Sequence, residues 1–354
     1  MSRKERIQRA LRAKKLDAFL VTHIRNVGYL TGFRGSSAFV FVTRDRGFFY
    51  TDFRYREQAE QEVSDWEIGI EKGKRVQSIR RLVETLGVKS LGFESTVDYG
   101  FAERLSGLPV SLFAQRDLVE AMRKVKDDDE IAQIRTAVRR AESAFLQIKP
   151  KIRVGVTERE IALRLEYRLR RAGCGTIPFE VIVASGKNSS MPHARPTDKK
   201  IEAGDFVIID WGGESDGYFS DMTRTLLMDG GDLSFSRKIY EIVNTARERA
   251  VRSVRAGAKS RDIDREARDY IRAKGFGEFF GHGTGHGVDL DVHEGPRISP
   301  VSSGTVSEGM VFTIEPGIYI PGRGGVRIED MVLVRGGDAQ TLTGLGRALE
   351  IVRA

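Results

Sequence analysis

One order of secondary-structure signals occurs twice in this chain, and it restricts the possible folds more than any other feature. Over residues 127–334 the spacing of apolar side chains predicts two helices followed by strands, and then two more helices followed by strands. Capping-box spacings mark the first two helix starts, at Asp127–Glu130 and at Thr157–Glu160. Pro150 and Gly173 are fitting ends for these helices. The repeated order indicates a duplicated unit.

The expected elements of the repeated region follow from this spacing. The strands are predicted at Glu180–Ala184, Phe206–Asp210, Arg224–Met228, Val311–Glu315 and Val326–Val334. The second pair of helices is predicted at about Ser234–Ala256 and Ser260–Lys274, each ending before a glycine.

The first third of the chain alternates helical and strand signals, which is typical of an α/β domain. Strands are predicted at Asp17–Thr22, Ser37–Thr43 and Gly47–Thr51, and helices near 5–15, 55–63, 75–86 and 98–106. The dense charge run over residues 122–130 is the best candidate for a linker. We therefore expect two domains, 1–123 and 124–354.

Composition excludes several classes of protein. The 354 residues carry a formal charge of +8, but the basic residues are dispersed among acidic ones, so we expect no nucleic-acid partner. No run of about 18 apolar residues indicates a membrane segment, and the charged N-terminus lacks the apolar core of a signal peptide. The one cysteine, Cys174, is expected to be a small buried side chain. These features favour a cytoplasmic protein without a membrane partner.

Histidines are rare but clustered. Four of the five lie in the second domain beside turns rich in glycine and proline, namely His193, His282, His286 and His293. Three of these fall within twelve residues, in GHGTGHGVDLDVHE. A cluster this tight in a chain this poor in histidine favours a functional site over isolated core residues. The alternating glycines around it are expected to let the backbone approach a ligand closely.

Four carboxylates accompany the histidines in apolar surroundings. Asp210 ends the run FVIID, Asp221 follows the next turn, Glu315 ends VFTIE, and Glu329 lies in VRIEDMVLV. The offset from the first pair to the second is nearly constant, at 105 and 108 residues. Acids that converge in a core repel one another unless cations relieve the repulsion. The alternative is a pair of surface hairpins with exposed acids.

Four carboxylates and one imidazole suit two divalent ions better than one. Two-metal hydrolytic sites hold their ions about 3.5–4 Å apart, and carboxylates can bridge them. The oxygen-rich donor set favours Mn, Fe, Co or Zn over copper, and ligand softness does not separate these four metals. Of the four, we expect Mn first.

Five segments together resemble the creatinase/methionine-aminopeptidase superfamily, whose fold is called pita-bread, and within it the Xaa-Pro peptidases, prolidase and aminopeptidase P. They are MPHARP (191–196), VIIDWGGESDGYFSDMTRT (207–225), GHGTGHGVDLDVHEGP (281–296), TIEPGIY (313–319) and GVRIEDMVLV (325–334). The first domain matches more loosely, through YLTGFRGSSAF and TDFRYREQA. The resemblance implies an α/β N-terminal domain, creatinase-like, and a catalytic α+β pita-bread domain with pseudo-twofold halves.

The resemblance also implies the roles of individual residues. The metal ligands would be Asp210, Asp221, His286, Glu315 and Glu329. Glu315 would also move the proton of the attacking water. His193 and His293 would contact the substrate, with His282 beside the metals and Arg327 orienting the last ligand. The implied reaction is hydrolysis of the bond before a proline by a homodimeric enzyme.

Several alternatives remain among the relatives. Methionine aminopeptidase usually lacks the first domain, and creatinase lacks the metal ligands, so both are disfavoured. Prolidase cuts dipeptides, whereas aminopeptidase P removes the first residue of longer peptides, and we favour aminopeptidase P slightly. Arg297 could bind a dipeptide carboxylate or be a surface residue. In the first domain His23, Arg34 or Tyr55 could contribute to the site or be structural. The third hypothesis is a non-catalytic module that binds peptides or proteins.

Overall fold

A computed structural model describes residues 1–353 of the chain, which divides into two compact units, Met1–Arg123 (unit 1) and Lys124–Ala354 (unit 2). None of the helices in residues 1–353 combines the length and the apolar character that a bilayer crossing needs.

Unit 1 is an α/β unit built on one sheet. Its strands are β1 (Ala18–Val21), β2 (Ala38–Thr43), β3 (Gly47–Thr51), β4 (Glu67–Ile70), β5 (Ser90–Glu94) and β6 (Ser111–Gln115). Its helices are α1 (Arg3–Lys14), α2 (Ile24–Thr31), α3 (Arg56–Glu62), α4 (Arg75–Thr85), α5 (Tyr99–Ser106) and α6 (Glu120–Arg123).

The sheet of unit 1 has the strand order β4-β3-β2-β1-β5-β6. β1, β2 and β3 form an antiparallel meander, whereas β4, β5 and β6 join it in parallel. Every residue of β2 is buried, which explains its continuous apolar sequence AFVFV. The sequence does not indicate α2, α6, β4, β5 and β6, because these elements are short and their apolar residues show no clear period.

Unit 2 contains the repeat. Its helices are α7 (Asp128–Ile148), α8 (Glu158–Arg171), α9 (Ser234–Ser253) and α10 (Ser260–Ala273). Its strands are β7 (Ile182–Ser185), β8 (Phe206–Trp211), β9 (Glu214–Ser215), β10 (Tyr218–Phe219), β11 (Met222–Met228), β12 (Gly285–Gly287), β13 (Glu294–Ile298), β14 (Val311–Ile314), β15 (Gly317–Ile320), β16 (Gly324–Arg327), β17 (Asp330–Arg335), β18 (Asp338–Thr341) and β19 (Ile351–Val352).

The two halves of unit 2 share one topology. In the first half α7 and α8 precede the antiparallel neighbours β7, β8 and β11. In the second half α9 and α10 precede the antiparallel neighbours β12, β14 and β17. The predicted repeat of two helices followed by strands is therefore confirmed and fits the expected α+β pita-bread fold, although β12, the first of the three strands in the second half, was not predicted.

Helix starts follow the sequence signals unevenly. At α7 both bonds of the capping box between Asp127 and Glu130 are present. At α8 only half of the predicted box forms: Thr157 accepts from the Glu160 N–H, but the Glu160 carboxylate pairs with Arg164 instead. An arginine one turn further along the helix offers that carboxylate an ion pair, which competes with the cap.

One predicted strand is wrong in a way that matters for the site. The run Val326–Val334 is two strands, β16 and β17, which belong to different sheets. The predicted strand Val311–Glu315 likewise ends at Ile314, and β15 begins at Gly317 after a short break. The first break is marked in the sequence by Pro316 and Gly317 directly after Glu315, whereas the apolar run around Glu329 carries no sign of the second break.

Packing of α7 on β8, the strand that carries Asp210, positions the Asp210 carboxylate. The Trp211 ring of β8 stacks on Phe145 of α7 with ring centroids 4.5 Å apart. The Trp211 indole N–H also donates to the Ala141 carbonyl at 3.0 Å. A large aromatic side chain with a satisfied N–H holds the strand rigidly, immediately after Asp210.

Candidate metal centre

A cavity of about 760 Å³ lies in unit 2, and ten side chains predicted from the sequence to form the site line it. They are His193, Asp210, Asp221, His282, His286, His293, Arg297, Glu315, Arg327 and Glu329. The structure thus brings these residues together from both halves of the repeat. His23, Arg34 and Tyr55 belong to unit 1, and their contribution stays a prediction.

The two aspartates come from neighbouring strands of the first half. The register of β8 and β11 pairs Asp210 with Thr223, and Asp221 directly precedes β11. Asp221 is two residues from the partner of Asp210, so both side chains point to one face of the sheet. The antiparallel pair brings the acids side by side, as the intervening turn led us to expect.

The two glutamates lie opposite each other at the break of a long hairpin. β14 pairs with β17 on one side of the break, and β15 pairs with β16 on the other, in one continuous register. That register places Glu315 across from Glu329, each where its chain passes from one sheet to another. These two breaks are therefore the places where the chain directs both glutamates into the cavity.

His286 stands between the two pairs. Its Nε2 atom is 3.4 Å from Glu315 Oε1 and 3.7 Å from Asp221 Oδ2. Its Nδ1 atom lies 3.2 Å from the Gly287 carbonyl, which leaves Nε2 directed at the carboxylates. Ligand atoms of Asp221, His286 and Glu329 all lie within 4.8 Å of one another. Atoms at these separations can share one cation.

The pKa shifts of the carboxylates indicate that the site suits a cation. Burial and the neighbouring carboxylates raise the pKa of Asp221 and of Glu329 well above their usual ranges. Burial also raises the pKa of Glu315. Asp210 Oδ1 is buried and has no hydrogen-bond partner among the described residues. A buried oxygen without a partner and acids that repel one another are relieved together by divalent cations.

Arg327 ties the two halves of the site together. Its Nη2 atom donates to Asp210 Oδ2 at 2.6 Å, and its Nε atom donates to Thr223 Oγ1 at 3.1 Å. The Thr223 hydroxyl in turn donates to Glu329 Oε2 at 2.7 Å. One guanidinium therefore orients Asp210 directly and Glu329 through a hydroxyl.

His282 is held by a phenol that the sequence analysis did not single out. Its Nδ1 atom lies 2.8 Å from the Gly283 carbonyl, which assigns the proton to Nδ1, and Tyr319 Oη lies 2.9 Å from Nε2. Burial raises the pKa of Tyr319 to about 12, so its hydroxyl keeps its proton and donates to His282. Burial lowers the pKa of His282, so this imidazole is neutral.

The remaining histidines lie at the open side of the cavity. The His293 ring packs on His286 with centroids 4.1 Å apart. Burial and the neighbouring imidazoles lower the pKa of His293 to about 4, which leaves it neutral near pH 7. His193 follows Pro192, whose carbonyl accepts from Arg327 Nη1 at 3.1 Å. The arginine that orients the acids thus also holds the His193 segment.

Two glycines of the histidine motif, Gly285 and Gly287, allow a close approach between strands. A Cβ atom at Gly285 would lie 1.9 Å from the Thr313 carbonyl oxygen, and one at Gly287 would lie 2.1 Å from that of Gly295. The close approach is therefore to neighbouring strands. Absence of side chains at these positions lets β12 fit between β13 and β14 and brings His286 to the acids.

Further residues that line the cavity were not predicted, including Phe179, Glu180, Ile182, Arg195, Glu294 and Ser299. Ile182 pairs with Asp210 across β7 and β8, and Glu180 lies two residues earlier on the same face. Arg195 forms an ion pair of 3.3 Å with Glu180. Their position depends on strand register, which the sequence alone does not reveal. Glu294 did have a signal, since it directly follows His293.

Comparison with known proteins identifies the family. Residues 132–336 match metallopeptidase family M24, and residues 3–125 match the creatinase/prolidase N-terminal domain. The chain belongs to metallopeptidase family M24. The expected superfamily and the expected enzyme class, a metallopeptidase, are thereby confirmed.

Similar members of the M24 family cover nearly the whole chain. A Xaa-Pro dipeptidase of Pyrococcus horikoshii is 38% identical over 94% of this chain and 94% of its own length. The structure of a Xaa-Pro dipeptidase from Bacillus anthracis matches with a TM-score of 0.96 and 38% identity, over 99% of each chain. That of an X-Pro aminopeptidase from Thermotoga maritima matches with a TM-score of 0.91 and 37% identity, over 99% of this chain and 100% of its own.

Proposed function

We propose that this M24 protein hydrolyses the bond between the first residue of a peptide and a following proline. The observation that carries the proposal is the convergence of Asp210, Asp221, His286, Glu315 and Glu329 on one cavity, where an unpartnered Asp210 oxygen and mutually repelling acids call for cations. The names of the similar proteins, Xaa-Pro dipeptidase and X-Pro aminopeptidase, support proline specificity.

We propose that these five residues hold two divalent ions, with Mn as the first candidate. Four carboxylates and one imidazole supply enough oxygen donors for two hard or borderline cations, and no thiolate lies in the cavity lining to favour a softer metal. Such ions would lower the pKa of a bound water and so supply hydroxide near neutral pH.

The protein side chains bind and orient the substrate and move the proton. Glu315 accepts a proton from the attacking water and delivers it to the proline nitrogen that leaves. His193 and His293, from two loops at the open side, hold the substrate carbonyl and donate to its oxyanion.

Proline suits this arrangement because it offers no N–H. A peptidase that grips an extended substrate through backbone hydrogen bonds loses one of them at proline. Here the substrate is bound by the imidazoles of His193 and His293, and Ile182 offers an apolar surface. Recognition of this kind needs no N–H on the proline nitrogen.

Substrate length separates two versions of this proposal. The sequence favoured an aminopeptidase slightly, but the position of Arg297 favours a dipeptidase. The register of β12 and β13 pairs Arg297 directly with His286, so its side chain leaves the same face, and it lines the cavity. A guanidinium there can bind the free carboxylate of a dipeptide in a bidentate manner.

A cleavage assay tests the function. The purified chain, loaded with Mn or Co, would be incubated with Ala-Pro, Ala-Pro-Ala and Ala-Ala-Ala. Cleavage of Ala-Pro alone would indicate a dipeptidase, and removal of the first Ala from Ala-Pro-Ala an aminopeptidase. Cleavage of Ala-Ala-Ala at an equal rate would contradict proline specificity. No cleavage by protein that elemental analysis shows to contain metal would favour the binding module.

The finer assignments remain predictions. We propose residues 1–123 as the creatinase-like N-terminal domain and residues 124–354 as the catalytic domain. The homodimer and the cytoplasmic location likewise stay predictions from the sequence.

A further inference from the structure

A lysine with no solvent exposure lies beside the cavity and has no part in the chemistry described above. The Lys126 side chain is 0% exposed, and its Nζ atom donates to Glu294 Oε1 at 2.7 Å. Asp289 Oδ2 is 3.4 Å from the same nitrogen, and its own side chain is also 0% exposed. A buried ammonium with two carboxylates is costly to assemble unless its geometry is closely matched.

Lys126 is charged despite its burial. Burial lowers the pKa of this ammonium, but Asp289 and Glu294 outweigh that effect and leave the pKa above its usual value. The backbone of Lys126 is also fixed, since its N–H donates to the Gly309 carbonyl at 2.9 Å. The ammonium is therefore a fixed positive charge on a fixed segment.

The partners of this charge are the two ends of the loop that carries His293. The loop of residues 288–293 leaves β12 after Gly287 and returns at Glu294, and these two residues are paired. Lys126 thus binds Asp289 near the start of the loop and Glu294 at its end. Glu294 also lines the cavity, directly after His293, whose ring rests on His286.

We propose that Lys126 is a positioning residue, which clamps both ends of the 288–293 loop and so fixes His293 at the substrate. The proposal rests on the function proposed above, because it depends on contact between His293 and the substrate. Lys126 itself reaches neither the substrate nor the five candidate ligands. Its removal is expected to leave metal binding intact and to slow turnover.

Turnover is expected to slow because removal of the ammonium removes the positive charge that pairs with both carboxylates. Without Lys126, the Asp289 and Glu294 carboxylates would both lose the positive charge that lies 3.4 and 2.7 Å from them in a buried place. The two ends of the loop would then no longer be tied to one fixed group, which loosens the loop. Displacement of a substrate-binding group by about 1 Å can reduce the rate by about 100-fold.

Three variants and one control test the clamp. Lys126→Met keeps the length and removes the charge, Lys126→Arg keeps the charge, and Glu294→Gln removes the charge of one partner. Lys149→Met is the matched control, because Lys149 also forms a lysine–glutamate ion pair of 2.6 Å, with Glu350, and does not line the cavity. Each protein is loaded with the same metal, and its metal content is measured.

The first measurement is steady-state kinetics on the Xaa-Pro substrate that the wild type cleaves. Lys126→Met is expected to lower kcat about tenfold or more while KM changes less than about twofold. Lys126→Arg is expected to recover most of kcat, and Lys149→Met to match the wild type. A kcat for Lys126→Met within about twofold of the control, or a rise in KM alone, would overturn the proposal.

The second measurement needs no activity. The chain has five histidines, so ring signals of ¹³C-labelled histidine are few, and the His293 signal is assigned by its loss in His293→Gln. In metal-free protein, Lys126→Met and Glu294→Gln should both shift or broaden this signal, whereas Lys149→Met should not. An unchanged His293 signal in both would refute the clamp. If Lys126→Met does not fold, Glu294→Gln decides by the same signal.

These readouts separate failure of the clamp from failure of the proposed function. Wild-type protein without Xaa-Pro activity would overturn the function, while the His293 signal would still report whether Lys126 fixes the loop. Active wild-type protein with an unchanged signal in the variants would overturn the clamp alone.

Discussion

At the scale of single residues, the site depends on how each acid is neutralised. Asp210 has one oxygen on the Arg327 guanidinium and the other without a partner, while Glu329 has one oxygen on the Thr223 hydroxyl. In both of these acids, one carboxylate oxygen accepts a hydrogen bond from the protein, which fixes the orientation of the side chain. The other oxygen is left to bind a cation. The Glu315 carboxylate has two long contacts, at 3.3 Å from the Thr313 hydroxyl and 3.4 Å from His286 Nε2, which suits a group that must take and release a proton.

The first prediction concerns Glu315. Glu315→Gln keeps the shape and an oxygen donor but cannot accept the proton of the attacking water. We expect kcat to fall by about 100-fold or more, measured on the best Xaa-Pro substrate with metal-loaded protein. Glu202→Gln, at an exposed position, is the control and should keep wild-type activity. Activity within about threefold of the control would remove Glu315 from the mechanism.

The second prediction concerns Arg327. Its planar guanidinium makes four hydrogen bonds, to Asp210, Thr223, Tyr319 and the Pro192 carbonyl. A lysine cannot form this fork, so Asp210 and Glu329 would lose their fixed orientation. We expect Arg327→Lys to weaken metal affinity by about tenfold or more, measured by titration calorimetry of the apoprotein.

Arg323→Lys provides the comparison, since Arg323 is exposed on the turn before β16. Equal affinities for the two variants would mean that the ligands orient themselves without the guanidinium.

At the scale of elements, much of unit 2 could be predicted, but the decisive geometry could not. The period of apolar residues indicated α7 to α10, and runs such as FVIID indicated the central strands. The break after Glu315 is marked by Pro316 and Gly317, but the break at Glu329 was invisible, because a bent strand with both faces buried has the same apolar sequence as a straight one. Proximity of the acids was inferred from their chemistry, whereas their alignment comes from a register that only long-range pairing determines.

The third prediction tests the tight approach of β12 to its neighbours. A methyl group at Gly285 would meet the Thr313 carbonyl oxygen at 1.9 Å, and backbone atoms of a central strand cannot easily give way. We expect Gly285→Ala to lower the free energy of unfolding by about 1–3 kcal/mol, measured by urea denaturation of the metal-free protein.

Gly281 belongs to the same motif and supplies the matched control, since a Cβ atom there would meet nothing within 4 Å. Gly281→Ala should leave the unfolding free energy within about 0.5 kcal/mol of the wild type. Equal effects of the two substitutions would show that crowding at β12 does not limit stability.

At the scale of the whole molecule, the repeat explains why one cavity receives acids from distant parts of the chain. In each half, one acid lies at or just after the end of the central strand, and another directly precedes the third strand. These acids are Asp210 and Asp221 in the first half and Glu315 and Glu329 in the second. This correspondence was visible in the sequence as a nearly constant offset. What the sequence could not reveal is how the chain end closes the first half, where β19 pairs in parallel with β11. β19 has only two residues, which are too few to show a periodic pattern of apolar side chains in the sequence.

The last prediction concerns this closure. Tyr240 of α9 donates to the backbone carbonyls of Arg347 or Ala348, at 3.2 and 3.4 Å, just before β19. Burial raises the pKa of Tyr240 from 10.0 to about 12, so the folded protein holds this proton more tightly than the unfolded chain does. The resulting stability is fully present below pH 10 and is lost as the pH rises towards 12. Between pH 9 and pH 11 the wild type should therefore lose about 1 kcal/mol more unfolding free energy than Tyr240→Phe, which has no proton to lose. Urea denaturation of both proteins at the two pH values measures this difference, and parallel losses would show that the Tyr240 hydroxyl does not hold the chain end in place.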